Sequence, residues 1–484
     1  MSAEPQLLAR NTSYFTLALV AQKVISFLYF TFLARTLGPV NMGKYQVALS
    51  LTTIFSVLLD LGLASVLTRE VARDKSRAEY LVRLVFGFKV LASLVVVGLV
   101  ILSARAAGYP SLTLELVAIA SVVMVLDSFT LSAYSTIRGF QNLFWESLGT
   151  VLMQAAIAVV GLSVSWFTHD VRAFMLALLS GVVLNTVFAL RQLHVKFTLS
   201  LRPLLAWTGW RTLFALAWPF ALAAGLTRIY GYLDQIMLSL LSGDAAVGVY
   251  SVAYKVTFAF QFIPTAFSAS LYPAFSAYFV GDRASLRTLF SRAVAYLALI
   301  GVPVSWCIAV LAPAMVRSLY PAYSGAIVPL QILILGLPFL FVSFPVGALL
   351  PACNRQTRNT VNIALVTLSN VVLNWFLIPR FGPVGAAVAS LVSTVLLLAL
   401  GWVVAEQLVQ VEHRWLLGRL GRVALAGVGM VVVAWWLEPT LHWAVVVLLA
   451  SAVYVGAAVA LRAVTIGELK SLRDQLLRRT AVAR

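Results

Sequence analysis

The sequence predicts an all-α polytopic membrane protein with about 14 transmembrane helices, in two six-helix pseudo-symmetric lobes plus two C-terminal helices. Its 484 residues are 61% hydrophobic and 11% charged, whereas a soluble domain carries about 25% charged residues. Apolar stretches of the length that spans a bilayer, about 20 residues, recur from end to end. A short motif also occurs twice, which indicates two similar halves.

The apolar stretches define the predicted spans, and the loops between them are too short to hold a soluble domain. In chain order they are residues 13–36, 45–67, 80–103, 113–137, 146–166, 172–192, 213–241, 247–272, 289–311, 327–350, 359–378, 384–408, 419–437 and 441–461. We divide the chain into an N-lobe (1–195), a cytoplasmic interfacial linker (196–211), a C-lobe (212–410) and a last part (411–484) with two spans and a basic tail.

Two segments outside the spans carry amphipathic patterns. Trp207 and Trp210 lie among basic and apolar residues of the linker, which predicts a helix in the cytoplasmic interface of the membrane. Leucines of the tail, residues 467–484, lie opposite basic residues. The tail is therefore predicted to lie either in that interface or in solvent.

The distribution of Lys and Arg sets the topology. If both termini lie inside, the cytoplasmic segments hold 25 of the 35 cations, the outer loops hold 6, and 4 lie within spans. Cytoplasmic loops of membrane proteins carry such an excess of positive charge. We therefore predict a multi-pass protein of the plasma membrane with cytoplasmic termini.

The repeated motif relates the two halves. Residues 38–48 and 243–253 agree at five of eleven positions at an offset of 205, and two of the shared residues are the glycines of G-x-x-x-x-G. The same offset aligns Lys23 with Arg228. Repeated halves with a substrate site between them are the usual architecture of a secondary transporter.

Composition and spacing exclude several other classes. The net charge of +18 is spread over alternating loops, so we expect no nucleic-acid partner. Cys307 and Cys353 lie in apolar segments, and His169, His194, His413 and His442 have no ligand spacing. We expect no disulfide framework, no metal, no cofactor and no catalytic residue.

Seven charged residues lie well inside the predicted spans, away from the span ends, where each costs at least about 2.5–3.5 kcal/mol on insertion scales. Asp60 and Lys89 lie at similar depth, as do Asp234 and Lys255, and either pair is explained by an ion pair between helices. Lys23, Asp127 and Arg228 lie nearer the midplane. Asp127 is predicted to pair with Lys23, whereas Arg228 has no evident partner at its own level.

A cation left partly unpaired at mid-membrane is explained by a water-filled cavity that receives an anion, and the Arg fork suits phosphate. The predicted substrate-binding cations are Lys23, Arg228, Lys255 and Lys89, and the predicted coupling or ion-pair acids are Asp60, Asp127 and Asp234. The predicted polar and aromatic lining is Gln46, Tyr232, Gln235, Tyr250 and Tyr254. The alternative for each residue is a structural ion pair or an inter-helix hydrogen bond.

Four segments carry a family resemblance. They are A-R-T-L-G-P-V-N-M-G-K-Y (34–45), L-D-L-G-L (59–63), T-R-E-V-A-R (68–73) and Y-G-Y-L-D-Q-I-M-L-S-L-L-S-G-D-A-A-V-G-V-Y (230–250). The chain resembles the polysaccharide transporter family, the O-antigen and other lipid-linked oligosaccharide flippases of the MOP exporter superfamily. The resemblance implies alternating access, with a cationic cavity that holds the pyrophosphate of a polyprenyl-linked oligosaccharide. It also implies membrane lipids, H⁺ or Na⁺, a glycan polymerase and glycosyltransferases as partners.

Three alternatives stay open. A MATE-like multidrug or cation exporter of the same superfamily needs an acidic cavity, for which Asp60 or Asp127 would serve. A lipid II flippase is a second alternative. An integral membrane glycan polymerase or acyltransferase belongs to a different class, but the outer loop at residues 104–112 offers neither the length nor the His and Asp pair expected of one.

Overall fold

In the computed structural model, residues 3–464 are described, with side chains from residue 18 onward except that of residue 269, and all regular structure in this range is helical. The predicted tail segment 467–484 lies outside the described residues. The helices are α1 (Ala3–Asp60), α2 (Leu63–Arg73), α3 (Ala78–Ala106), α4 (Ser111–Gly139), α5 (Phe144–Ser165), α6 (Val171–Val195), α7 (Trp207–Ser242), α8 (Asp244–Phe258), α9 (Phe262–Gly281), α10 (Arg283–Leu319), α11 (Ile327–Leu335), α12 (Leu337–Ala352), α13 (Gln356–Phe381), α14 (Pro383–Val409), α15 (His413–Leu437) and α16 (Trp443–Ala460). Short 3₁₀ turns at Lys75–Arg77, Ala259–Gln261 and Pro321–Ala326 connect some of them.

The first helix contains two membrane spans. Its apolar stretch Ala18–Asp60 has 43 residues, about 65 Å at the helical rise, whereas the hydrocarbon core is about 30 Å thick. The chain breaks direction inside it at Gly38, whose φ of 69° and ψ of 172° lie outside the helical region. Thirteen described helical stretches are long and apolar enough to span a bilayer. With the first counted as two, the predicted all-α polytopic fold with 14 spans is confirmed.

The same break recurs at the second copy of the motif. Gly243, between α7 and α8, has φ 85° and ψ 172°, close to the values at Gly38. Positive φ with an extended ψ strains any residue that has a Cβ, so glycine is needed at both corners. The sequence repeat is therefore also a repeat of backbone conformation.

The second glycine of each motif packs against the other motif. A Cβ on Gly43 would overlap the carbonyl of Asp244, and a Cβ on Gly248 would overlap the carbonyl of Pro39. The two contacts exchange under the offset of 205, since Pro39 corresponds to Asp244 and Gly43 to Gly248. Two helix starts thus approach as closely as backbone allows, because neither glycine has a side chain.

Packing divides the chain into two compact units, Met1–Gly248 and Val249–Arg484. The first unit holds α1 to α7 and the first residues of α8. The helix α7, which the repeat assigns to the second lobe, therefore packs with the helices that precede it. The predicted lobe boundaries describe the repeat and remain a prediction.

Within the first unit, α7 runs antiparallel to the second half of α1. Ser50 Oγ donates a hydrogen bond to Gln235 Oε1 at 2.5 Å, and further along the pair Gly225 faces Val57. At the end of this contact, Gly62 leaves no room for a Cβ against the backbone of Ala217 and Ala221. Small residues at such contacts allow close packing where no hydrophobic effect drives association.

The prediction of an interfacial helix is wrong for most of the linker. Residues 198–206 have no helical structure, and α7 begins only at Trp207. Instead, the linker lies along α3: Leu204 N–H donates to the Arg83 carbonyl at 2.8 Å, and the Arg83 Nε donates to the Arg202 carbonyl at 3.1 Å. Pro203 lacks an N–H and so disfavours a helix here, and Gly87 gives the Leu204 backbone room to approach.

The second unit is organised around α10. Ser305 on this helix donates to the Ile334 carbonyl of α11 at 2.7 Å, and Tyr454 of α16 donates to the Leu299 carbonyl at 2.8 Å. Two buried apolar clusters surround these contacts, one shared with α9, α12 and α14 and the other with α15 and α16. The appended C-terminal helices are therefore packed onto the second unit.

The glycine contact between the motifs gives a first prediction. The substitution Gly43→Ala places a methyl group on a backbone carbonyl that cannot rotate away, and we expect a loss of about 1–3 kcal/mol in unfolding free energy. The measurement is the thermal unfolding of the purified protein in detergent. Gly98→Ala is the matched control, because no atom lies within 4 Å of a Cβ at that position of α3. Equal melting temperatures for the two variants would contradict the assignment.

Candidate functional site

The predicted contact between Asp60 and Lys89 is present. Asp60 ends the helical part of α1, before a break at Leu61 and Gly62, where φ is positive at both residues. Its Oδ1 accepts from the Ala64 N–H at 3.3 Å and lies 3.7 Å from Lys89 Nζ. This carboxylate therefore caps the start of α2 and neutralises a cation of α3 at the same time.

Lys89 is enclosed by protein. Its side chain is 0% exposed, and Nζ donates a second contact, a 2.7 Å hydrogen bond to the Ser128 carbonyl of α4. A side chain with no exposed surface cannot touch a substrate in this conformation. Contrary to the prediction of substrate binding, Lys89 and Asp60 here join α1, α3 and α4, and we leave Lys89 out of the binding site.

Asp127 lies within range of the charge of Arg228, although no ion pair within 4 Å joins the two among the described residues. Asp127 lies on α4, beside the residue that binds Lys89, and its side chain is exposed. The charge of Arg228 acts on this carboxylate, whereas no ion pair joins Asp127 to Lys23 in the described part of the chain. The expected pairing of Asp127 with Lys23 is therefore corrected. Similar depth in the membrane does not determine which sides of two helices are in contact.

Arg228 lies on α7 between the two levels at which that helix contacts α1. It is seven residues before Gln235 and three after Gly225, on the side of α7 that faces those contacts. The side chain is exposed, and among the described residues no carboxylate lies within 4 Å of the guanidinium and no hydrogen bond engages it. An exposed guanidinium in an apolar helix is costly if it faces lipid.

Lys23, the residue that the repeat aligns with Arg228, is also an exposed cation within an apolar helix. It lies on the first span of α1, its side chain is exposed, and in the part of the chain with described side chains it has no ion pair or hydrogen bond. Both aligned cations thus belong to the first compact unit and leave their donors open. They are the two intramembrane cations best suited to an anionic ligand.

The predicted polar and aromatic residues divide by burial. Tyr250 is 0% exposed, Gln235 3% and Asp234 5%, so these three side chains lie within packed protein. Gln235 also accepts the hydrogen bond from Ser50. Gln46, Tyr232 and Tyr254 keep partly exposed side chains, as does Lys255. Tyr254 also stacks on Phe258, with ring centroids 4.1 Å apart. The predicted pair of Asp234 and Lys255 stays a prediction.

Sequence reasoning missed several polar contacts between helices. Arg138 of α4 makes two 2.6 Å hydrogen bonds to the Glu146 carboxylate of α5, and Tyr134 donates to Asn185 of α6 at 2.7 Å. The eight-residue spacing of Arg138 and Glu146 across a tight loop was a signal for the first. Nothing in the spacing indicated the second contact, which depends on how α4 and α6 are rotated.

The comparisons with known proteins agree with this architecture. A family model described as polysaccharide biosynthesis protein matches residues 8–279, and the MatE family model matches residues 219–376. The chain is 22% identical over 400 residues to a probable low-salt glycan biosynthesis flippase, Agl15, of Haloferax volcanii, covering 80% of this chain and 81% of that one. It is 23% identical over 411 residues to a putative O-antigen transporter of Escherichia coli, covering 83% and 97%.

Solved structures share the fold. The lipid II flippase MurJ in an inward closed conformation superposes with a TM-score of 0.77 at 16% identity, covering 92% of this chain and 97% of that one. An inward-facing multidrug resistance MATE transporter of the MOP superfamily gives a TM-score of 0.61 at 15% identity, covering 87% and 96%. At these identities the likeness shows the fold alone.

The ion pair of Asp60 with the buried Lys89 gives a second prediction. Lys89→Met leaves the Asp60 carboxylate without its cation, and we expect unfolding to become easier by about 1–3 kcal/mol. Asp60→Asn added to Lys89→Met removes the unpaired charge and should recover part of the loss. Thermal unfolding of both single variants and the double variant forms the test. Strictly additive losses would show that the two groups do not interact.

Proposed function

The chain belongs to the polysaccharide biosynthesis protein family, and we propose that it is a flippase that moves a polyprenyl-pyrophosphate-linked oligosaccharide across the plasma membrane. The flippase and O-antigen transporter names of its relatives support this activity, as does the transporter fold. The single observation that carries the substrate assignment is Arg228, an exposed guanidinium with open donors inside an apolar helix.

The chemistry of the two aligned cations suits a diphosphate. Arg228 can bond two phosphate oxygens at once with its planar fork, and Lys23 adds a point charge for the same group. Binding of an anion would offset the unfavourable free energy of keeping two cations within the membrane. Lys23 and Arg228 therefore hold the pyrophosphate in our proposal, while the lipid tail stays in the bilayer.

The glycan needs a polar, hydrated route. Gln46, Tyr232 and Tyr254 have partly exposed side chains and offer amide, hydroxyl and ring surfaces of the kind that contact sugars. We propose them as glycan contacts, and we propose alternating access between the repeat-related lobes as the motion. Glycosyltransferases and a glycan polymerase, which would make and use such a substrate, remain proposed partners.

Asp127 gives the proposed cycle an acid for ion coupling. Its carboxylate interacts with Arg228, so an anion on Arg228 competes with Asp127 for the same positive charge. Binding of a substrate phosphate then releases Asp127 to take up H⁺ or Na⁺. Anion and cation binding are linked by this exchange, which is the requirement for coupled transport.

A MATE-like cation exporter is the second candidate. It is favoured by the exposed carboxylate of Asp127 and by the MatE match to part of the chain. A cationic drug would compete with Arg228 for this carboxylate, whereas a diphosphate would bind Arg228 itself. The two functions therefore differ in which of the two side chains a ligand needs.

The third prediction concerns Arg228. Arg228→Gln keeps a hydrogen-bonding side chain but removes the charge and the fork, and we expect transport of a lipid-linked oligosaccharide into proteoliposomes to fall at least about tenfold. Arg228→Lys should retain part of the activity, since it keeps the charge. Arg358→Gln is the matched control, because Arg358 is an exposed arginine in the first turn of α13 and its replacement loses the same charge. This variant should transport normally.

Protein amount and melting temperature are measured for each variant, so that a folding defect is not read as a loss of binding. Wild-type transport in a well-folded Arg228→Gln protein would overturn the role of Arg228. Drug efflux that is lost in Asp127→Asn but kept in Arg228→Gln, together with normal oligosaccharide transport in Arg228→Gln, would favour the exporter.

The fourth prediction concerns coupling. Asp127→Asn removes the carboxylate, and we expect the remaining transport to lose its dependence on an imposed H⁺ or Na⁺ gradient. Glu115→Gln is the matched control, because Glu115 lies on the same helix but binds Arg172 at its exposed end. The measurement is the initial transport rate with and without each gradient. A gradient dependence that survives in Asp127→Asn would exclude Asp127 as the coupling acid.

A further inference from the structure

A second positively charged site lies in the second unit and contains none of the residues proposed for translocation. It is a cavity of about 340 Å³ lined by Arg292, Arg414, Arg419, Arg422 and Arg462. Trp415 and Gly418 complete its wall. We call it the arginine pocket. It lies where α15 begins, beside the first turns of α10 and the end of α16, on the side of the membrane predicted to be cytoplasmic.

The helix spacing of α15 brings these side chains together. Arg414, Gly418 and Arg422 are four residues apart in succession, so they follow one face of the helix. A Cβ on Gly418 would meet no atom within 4 Å. The glycine thus keeps the middle of this face open, with an arginine on either side.

Contacts with backbone and rings hold part of the pocket in shape. The Arg419 Nε donates to the Ala463 carbonyl at 3.0 Å, and Arg422 donates to the Arg462 carbonyl at 3.3 Å. The Arg419 guanidinium also lies 5.1 Å from the Tyr296 ring centroid and 5.3 Å from that of Trp415. These carbonyls and rings help to fix the positions of Arg419 and Arg422 in the wall of the pocket.

No carboxylate lines the pocket among residues 18–464. The nearby acids are engaged elsewhere: Glu412 lies 2.9 Å from Arg287, and Glu406 lies 3.1 Å from His413. The cations of Arg292, Arg414, Arg422 and Arg462 repel each other around this cavity, and the positive end of the α15 dipole adds to their potential. An anion in the cavity relieves this repulsion.

We propose that the arginine pocket binds the phosphate-bearing headgroup of a lipid. Its helices are membrane spans, so the cavity opens at the level where headgroups lie, and basic pockets between such helices bind anionic lipids. Leu417 is 65% exposed and Trp415 is 39% exposed beside the cavity. These side chains offer an apolar and interfacial surface to the chains of the same lipid.

The shared chemistry is a phosphate ester or diphosphate on a lipid, and two sources supply it: an anionic phospholipid of the bilayer and a prenyl diphosphate. The test titrates the full-length protein in neutral detergent with short-chain phosphatidylglycerol, short-chain phosphatidylcholine, farnesyl diphosphate and inorganic pyrophosphate. Binding is measured by native mass spectrometry and by the shift in melting temperature.

The variant Arg414→Gln/Arg422→Gln removes two pocket charges, and Arg355→Gln/Arg358→Gln removes two exposed arginines outside the pocket as its matched control. We expect the pocket variant to bind phosphatidylglycerol about tenfold or more weakly than the native protein, with the control unchanged. Gly418→Leu fills the cavity and keeps every charge, so it should also weaken binding. This single variant serves as the test if the double variant does not fold.

Each outcome decides the proposal. Weaker lipid binding in the pocket variants, with little binding of phosphatidylcholine, supports it. The better of phosphatidylglycerol and farnesyl diphosphate then identifies the source. Equal lipid binding by the native protein and the Gly418→Leu variant overturns it. Pyrophosphate binding that matches lipid binding also overturns it, since the pocket would then be a site for a soluble anion.

Discussion

The reciprocal contact between the two glycine motifs sets the geometry of the first unit. Gly43 lies against the Asp244 backbone and Gly248 against the Pro39 backbone, so the start of the second span is fixed against the end of α7. From this point the two helices run antiparallel through the Ser50 and Gln235 hydrogen bond. Since their register is fixed there, so is the level of Arg228 on the side of α7. The position of the proposed site therefore depends on two residues that have no side chain.

Burial separates the intramembrane charges into two kinds. Lys89 is enclosed, and the carbonyl of Ser128 and the carboxylate of Asp60 satisfy it. Arg228 and Lys23 are exposed with donors open, and such donors within a membrane need water or a ligand. The arginine pocket is a second place where cations are gathered, since five arginine side chains line one cavity. Charges with internal partners hold helices together, whereas the open donors of Lys23 and Arg228 are the ones that we propose to bind an anion.

The successes and failures of the sequence analysis have one physical origin. Hydropathy reports depth, because 20 apolar residues must lie within the bilayer whatever their neighbours are, and so the spans were predictable. It does not report the rotation of a helix about its axis. The depth match of Asp60 and Lys89 identified a contact but not the enclosure of Lys89, and it gave Asp127 the wrong partner. The prediction of a linker helix was wrong because residues 202–204 pack along α3, where Gly87 leaves room for their backbone and the Arg83 carbonyl accepts a hydrogen bond.

The sequence by itself determined the all-α membrane fold, the fourteen crossings and the repeat with its two glycine corners, because each depends on local composition or on the conformational freedom of glycine. It also determined which residues bring charge into the membrane. Only the tertiary structure decided which charges meet. Arg287 and Glu412 are far apart in the chain but lie 2.9 Å apart in the structure, and the arginine pocket gathers side chains from α10, α15 and the end of α16. Such contacts are set by helix rotation and close backbone approach, which arise only when the helices pack together.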